Sequence, residues 1–184
     1  MKQIDDTQST RIGVVGAGSW GTALAKLLAE KGFDIDFWVF EPEVKEQIET
    51  FRENRVFLPG FSLPESIRPF NDIEPVVRDK DLILVVVPSH CMRSVATQMK
   101  PYVSRDAVVV SASKGIENKT HLTMTGILAE ILDFLPPDNL AVLSGPSFAK
   151  EVAANIPTVV AAASVNDQVA RFVQAVFACP TFRV

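Results

Sequence analysis

Six short β-branched runs recur along the chain, and most are separated by a stretch with helical spacing. The runs are "RIGVVG" from Arg11, "DIDFWVF" from Asp34, "DLILVVV" from Asp81, "AVVVSAS" from Ala107, "LAVLS" from Leu140 and "TVVAAAS" from Thr158. Between them lie "WGTALAKLLAEKG", "EPEVKEQIETF", "HCMRSVATQMK", "THLTMTGILAEILDF" and "DQVARFVQAVF". Strands apolar at nearly every position must be covered on both faces, which is the condition of a mostly parallel sheet with helices above and below. The pattern therefore predicts a doubly wound, Rossmann-like α/β fold over residues 11–184. In the first helical stretch Ala23, Leu24, Leu27 and Leu28 share a face, and Gly32 is placed to stop the helix. With 184 residues, 47% of them hydrophobic, the chain can build one substantial core.

Two stretches break the rhythm. "NRVFLPGFSLPESIRPF", from Asn54 to Phe70, has prolines, a glycine and aromatics where a quick return to the sheet is expected. It is either a long surface loop with its own small cluster or a lid over a ligand crevice. At the other end, "CPTFRV" reads as a turn and the start of one more strand. That strand is either a sheet edge or the point where a longer protein continues.

The segment "VVGAGSWGTALA" carries glycines at 16, 18 and 21, after a strand and at the start of a helix. In that context Gly16 permits a tight turn, Gly18 lets the backbone approach a pyrophosphate, and Gly21 lets helix and strand pack closely. The N–H groups around Ser19 and Trp20 then face the anion, aided by the helix dipole. Glu41, twenty positions past Gly21, stands where a carboxylate accepts from the ribose hydroxyls of NAD. No Arg or Lys occurs from Trp38 to Pro42 to hold a 2′-phosphate, so NAD is expected over NADP. Phe40 is either an adenine-packing residue or ordinary core.

Ligands of open α/β sheets lie beyond the carboxyl ends of the strands. There Ser89, in "PSH", is a candidate helix cap. Lys114, in "SKGIE", could meet the charge that develops on a carbonyl oxygen during hydride transfer. Ser147, in "GPSFAKEVA", is either a cap or, with Gly145, part of an anion seat.

The remaining features narrow the class. A net charge of −4 argues against nucleic acid or an anionic membrane as main partner. Cys91, Cys179, His90 and His121 have no metal-ligand spacing, and a reduced, cytoplasmic setting is expected. "MKQIDDTQST" has no apolar core, so residues 1–10 read as a flexible arm, and no run is long enough for a membrane span. "NKT" at Asn118 is then a chance sequon.

Taken in order, "GAGSWGTALA", "ENRVFLPG", "VVVPSH", "SASKGIE" and "GPSFAKEVA" resemble the NAD(P)-dependent glycerol-3-phosphate dehydrogenases across nearly the whole chain. That family transfers a hydride between the nicotinamide and dihydroxyacetone phosphate, giving sn-glycerol 3-phosphate. The resemblance implies that Gly16, Ala17, Gly18, Ser19, Trp20, Gly21 and Ala149 serve the cofactor, and Phe40 matches a position that is aromatic in NAD-using members. Lys114 touches cofactor and substrate, and Gly145 and Ser147 touch a small phosphorylated substrate. Many bacterial members carry Arg or His where this chain has Phe40. In some members an aromatic contacts the cofactor where this chain has Cys91, so that contact is not carried over. Members continue into a helical second domain with a second, proton-transferring lysine, and the full-length protein is expected to be a homodimer. A chain of residues 1–184 alone is expected to bind NAD and turn over little. The alternatives are the cofactor domain of another two-domain Rossmann dehydrogenase and a non-catalytic NAD-sensing module.

Overall fold

The computed structural model describes residues 9–184. In chain order the strands are β1 (Ile12–Val15), β2 (Ile35–Trp38), β3 (Ile67–Phe70), β4 (Leu82–Val85), β5 (Val108–Ser111), β6 (Leu140–Ser144), β7 (Thr158–Val159), β8 (Ala161–Ser164) and β9 (Phe182–Arg183). The helices are α1 (Ser19–Glu30), α2 (Pro42–Phe51), α3 (Glu74–Val77), α4 (Met92–Met99), α5 (Met124–Ile131), α6 (Ala149–Ala153) and α7 (Asp167–Phe177). Seven strands make one sheet in the order β3-β2-β1-β4-β5-β6-β8, while β7 and β9 pair separately. Within the large sheet every pair is parallel except β6 with β8. The order reverses between β1 and β4, and it is there that open α/β sheets leave a crevice at the carboxyl ends of the strands.

The apolar runs feed two cores because successive side chains leave a strand on opposite faces. On β4, Leu82 and Leu84 join Leu24 and Leu28 of α1, Ile48 of α2 and Phe177 of α7. Ile83 and Val85 join Val76 of α3, Val95 and Met99 of α4 and Ile127 of α5. Each such aliphatic side chain taken from water contributes roughly 1.5–3 kcal/mol before the cost of ordering the chain.

Helix α1 is buried more completely than its expected apolar face requires. Thr22 and Ala25 are as inaccessible as Leu24 and Leu28, and Lys26 is buried too, because α6 and α7 cover the side away from the sheet. Lys26 keeps its charge paired through Glu30, one turn on. The helix ends as expected at Gly32, whose φ of +97° suits glycine. There the N–H of Gly32 bonds to the Ala29 carbonyl and that of Phe33 to the Leu28 carbonyl, closing the last turn.

Three local expectations change. Ile67–Phe70, inside the irregular stretch, is the edge strand β3; Pro69 is tolerated because β3 pairs on one side only. The preceding residues form a mostly exposed loop, anchored in the main core rather than around a cluster of its own. Leu58 and Leu63 are buried in the core beside α1, and none of residues 54–70 lines the crevice. The run from Thr158 is not one strand but two, broken at Val160: β7 pairs with β9, then the chain turns to run antiparallel to β6. The arm expected over residues 1–10 lies, for residues 1–8, outside the described residues; Ser9 is exposed and Thr10 is buried.

Candidate functional site

The glycine turn joins β1 to α1 at the point where the strand order reverses. Gly16 sits at φ +115°, and a Cβ there would lie 2.3 Å from the Val86 carbonyl oxygen, so only glycine fits. At Gly21 a Cβ would fall 1.9 Å from the Gly16 carbonyl oxygen; this is the close packing of helix on turn. Gly18 differs. A Cβ there would meet nothing within 4 Å, so the space beside it is open to a ligand.

Among the described residues no acceptor takes the backbone N–H of Gly18, Ser19, Trp20 or Gly21, and the first intrahelical bond is donated by Thr22 to the Gly18 carbonyl. A helix start always leaves such donors, and here they open onto a cleft rather than being capped by a side chain. With the partial positive charge of the helix N-terminus they form a seat for an anion.

The cleft is lined by Gly18 to Gly21, by Val86, Val87 and Pro88 after β4, by Ala112, Ser113 and Lys114 after β5, and by Ser147 and Ala149. Lys114 is the one charged residue in this lining, and no carboxylate joins it. The turn that carries Lys114 is pinned on both sides. Before it, Ser113 Oγ accepts the Val87 N–H at 2.9 Å, tying the ends of β4 and β5 together. After it, Gly115 reverses the chain at φ +107°. The Arg93 guanidinium then donates two parallel bonds of 2.8 Å to the Glu117 carboxylate and a third to Glu130. The hydrogen bonds from Arg93 and Thr120 hold the Glu117 carboxyl at a pKa of about 2. Lys114 itself is exposed, and among the described residues its ammonium has no hydrogen-bond or ion-pair partner.

Phe40 and Glu41 lie on the other flank of the turn, at the end of β2, which adjoins β1 through a bond from the Gly16 N–H to the Trp38 carbonyl. Phe40 is 71% exposed and meets Trp38 edge-on at 5.9 Å, so it is not a core residue. The Glu41 side chain makes no capping bond to α2. Cations nearby in sequence are engaged elsewhere: Lys45 with Glu49, Arg52 with the Pro64 and Ile67 carbonyls, Arg55 with Glu53 and the Phe51 ring.

The structure thus brings Gly18 to Gly21, Lys114, Ser147 and Ala149 into one lining and sets Phe40 and Glu41 beyond the turn. Gly16 and Ala17 support the turn from behind. Gly145 lies outside the lining; a Cβ on it would come 2.9 Å from Val160 Cα, so it is needed where the chain passes it between β7 and β8. Neither Ser147 nor Ser89 is a cap, since the residues at those positions are Phe148 for α6 and Cys91 for α4, both without side-chain bonds. Sequence reasoning missed Val86, Val87 and Ser113, which also line the cleft, the two valines packed against the turn. It also missed Asn54, whose amide reaches the turn across 37 residues of sequence. Among the described residues no group of His, Cys, Asp and Glu is placed to hold a metal ion, and no helix is long and apolar enough to cross a membrane.

Residues 11–170 match the family model of the NAD-dependent glycerol-3-phosphate dehydrogenase N-terminus. The chain belongs to this family. It is 52% identical to a glycerol-3-phosphate dehydrogenase [NAD(P)+] of Syntrophobacter fumaroxidans, over 94% of this chain and 51% of the relative. A Geobacter relative of the same description is 49% identical over 95% of the chain and 52% of its own length. The crystal structure of glycerol-3-phosphate dehydrogenase from Coxiella burnetii superposes with a TM-score of 0.89 at 34% identity, covering 96% of this chain and 53% of that one. The chain therefore spans about half the length of the curated relatives it matches. It is a glycerol-3-phosphate dehydrogenase N-terminal, NAD-binding domain, and its glycine turn, β2 end and Lys114 lie along the rim that such a fold offers to a dinucleotide.

Proposed function

We propose that this domain holds NAD(H) along the carboxyl ends of β2, β1, β4 and β5 and serves hydride transfer between NAD(H) and dihydroxyacetone phosphate or sn-glycerol 3-phosphate. One observation carries the reading: four unengaged N–H donors and the ammonium of Lys114 face one cleft without a carboxylate in its lining. The pyrophosphate is assigned to the N–H groups of Gly18 to Gly21, with Gly16 and Ala17 supporting the turn. The adenosine end is assigned to Phe40 and Glu41, the carboxylate accepting from the ribose hydroxyls. The engaged state of Lys45, Arg52 and Arg55 leaves a 2′-phosphate without a ready partner, which favours NAD over NADP.

The nicotinamide supplies or accepts the hydride when bound. Lys114 donates a hydrogen bond to the substrate oxygen and stabilises negative charge there as the carbonyl is reduced. Ser147 and Ala149 close the far side, Ser147 toward the substrate and Ala149 toward the cofactor; Gly145 acts by letting the strands pack, not by contact. The proton-transferring lysine and most of the phosphate clamp are assigned to the part of the full-length protein that corresponds to the second half of the relatives, a reading supported by this chain covering about half their length. The family resemblance also supports a homodimer of the full-length protein, working in the cytoplasm.

The test is a titration of residues 1–184 with NADH and NADPH, following cofactor fluorescence and quenching of Trp20. Saturable binding that favours NADH is expected. No binding of either, with the fold intact, would overturn the assignment of this cleft.

A further inference from the structure

Asn54 is fully buried, and its amide is fully used. Its Nδ2 donates to the Ala17 carbonyl at 2.8 Å and to Thr22 Oγ1 at 2.9 Å, and its Oδ1 accepts the Phe57 N–H at 3.0 Å. Thr22 Oγ1 in turn donates to the same Ala17 carbonyl at 3.2 Å. Two side chains therefore converge on one carbonyl of the glycine turn, and the loop that supplies Asn54 is also held at Phe57, whose carbonyl accepts from Ser19 Oγ.

The geometry of a peptide decides what this does. In a trans peptide the C=O and the following N–H point in opposite directions, and no peptide of the described chain is cis. With the Ala17 carbonyl held toward Asn54, the Gly18 N–H must point the other way, and among the described residues it meets no acceptor. Gly18 and its neighbours are otherwise free to turn, because glycine resists rotation of that peptide less than any other residue. We propose that Asn54 is a positioning residue for the glycine turn: by holding the Ala17 carbonyl it aims the Gly18 N–H at the phosphates of the ligand. Thr22 is its auxiliary. The inference rests on the cofactor reading above and adds to it a residue that never touches the ligand.

A merely structural Asn54 and a positioning Asn54 differ in which part of the ligand is lost. Binding of NADH, ADP and adenosine to residues 1–184 is measured calorimetrically for the native chain, Asn54→Ala, Thr22→Val and a control, Leu58→Ala. Leu58 is buried in the same loop and makes no side-chain bond to the turn. Asn54→Ala should weaken NADH and ADP about tenfold, the value of one hydrogen bond to a charged group, and leave adenosine unchanged. Thr22→Val should act in the same direction and less strongly. Leu58→Ala should lower the melting temperature with the ratio of ADP to adenosine affinity unaltered. If Asn54→Ala fails to fold, Thr22→Val decides alone, since its side chain keeps the shape of threonine. An equal loss for adenosine and ADP, or no loss for either in the Asn54 and Thr22 variants, overturns the positioning role. Native protein that binds neither NADH nor ADP overturns the cofactor reading itself, and this inference with it.

Discussion

Gly18 and Gly21 stand three residues apart and predict opposite outcomes for one added side chain. A valine at Gly18 enters open space, and the backbone there, at φ −64° and ψ 175°, is extended and available to any residue. The fold should keep its stability to within ~0.5 kcal/mol, as for a surface substitution, a shift in melting temperature of about 2 °C or less at this size. Binding should not survive, because the branched side chain stands where the anion must reach the N–H groups. Loss of even two charge-assisted hydrogen bonds, at ~1.5–3 kcal/mol each, lowers NADH affinity by roughly a hundredfold or more. At Gly21 the same reasoning reverses. A Cβ 1.9 Å from the Gly16 carbonyl oxygen forces helix and turn apart. Overpacking of this kind costs ~1–3 kcal/mol, and Gly21→Ala should therefore melt roughly 2–12 °C lower. The assay pairs a thermal melt with an NADH titration for both variants. Gly18→Val with near-native NADH affinity would remove the glycine turn from the site. A Gly21→Ala protein with native melting would refute the packing role of that glycine.

Lys114→Ala in a full-length protein should reduce turnover far more than it weakens NADH binding, and steady-state kinetics beside a binding titration will show whether the two separate. Glu41→Ser should narrow the preference for NADH over NADPH; an unchanged ratio of their dissociation constants would remove Glu41 from the ribose. The Glu117 carboxyl, lowered from 4.5 to about 2 chiefly by its hydrogen bonds from Arg93, stabilises the fold while it is ionised. Because the folded value is depressed, that contribution is present above pH 4.5 and is lost as the pH falls toward 2. The difference in melting temperature between the native chain and Glu117→Gln should accordingly be constant near neutrality and shrink below pH 4.5; a difference that grows on acidification contradicts the assignment.

What the sequence disclosed was what local spacing encodes. The β1-turn-α1 unit was legible because three glycines, an apolar strand and a helical pattern are all within twenty residues. Lys114 and Ser147 were legible because both follow an unmistakable strand, and parallel strands put their carboxyl ends on one rim. The strand β3 was hidden by its exposed Arg68, which interrupts the apolar run, and by Pro69, which excludes a central strand but not an edge. The break at Val160 was hidden because β7 and β8 read as one apolar run; what separates them is β6 and β9 competing for partners far apart in sequence. Asn54 looked like loop composition. Its meaning comes from bonds spanning 32 and 37 residues, which no periodicity records.

The burial of α1 has a consequence for how this domain would reveal an occupied site. From Gly21 to Ala29 every residue of that helix is covered by the sheet, α6 and α7. Amide hydrogens of its inner turns can therefore exchange with solvent deuterium only when the whole domain opens. Among the described residues the N–H groups of Gly18, Ser19 and Trp20 have no acceptor and, at the rim of the same helix, stay open to exchange. Fast and slow exchangers thus adjoin along one helix with no fraying between them. An anion that seats on the turn shields the first group directly and slows the second only as far as it stabilises the whole domain, so that ligand occupancy is written most sharply in a few adjoining amides.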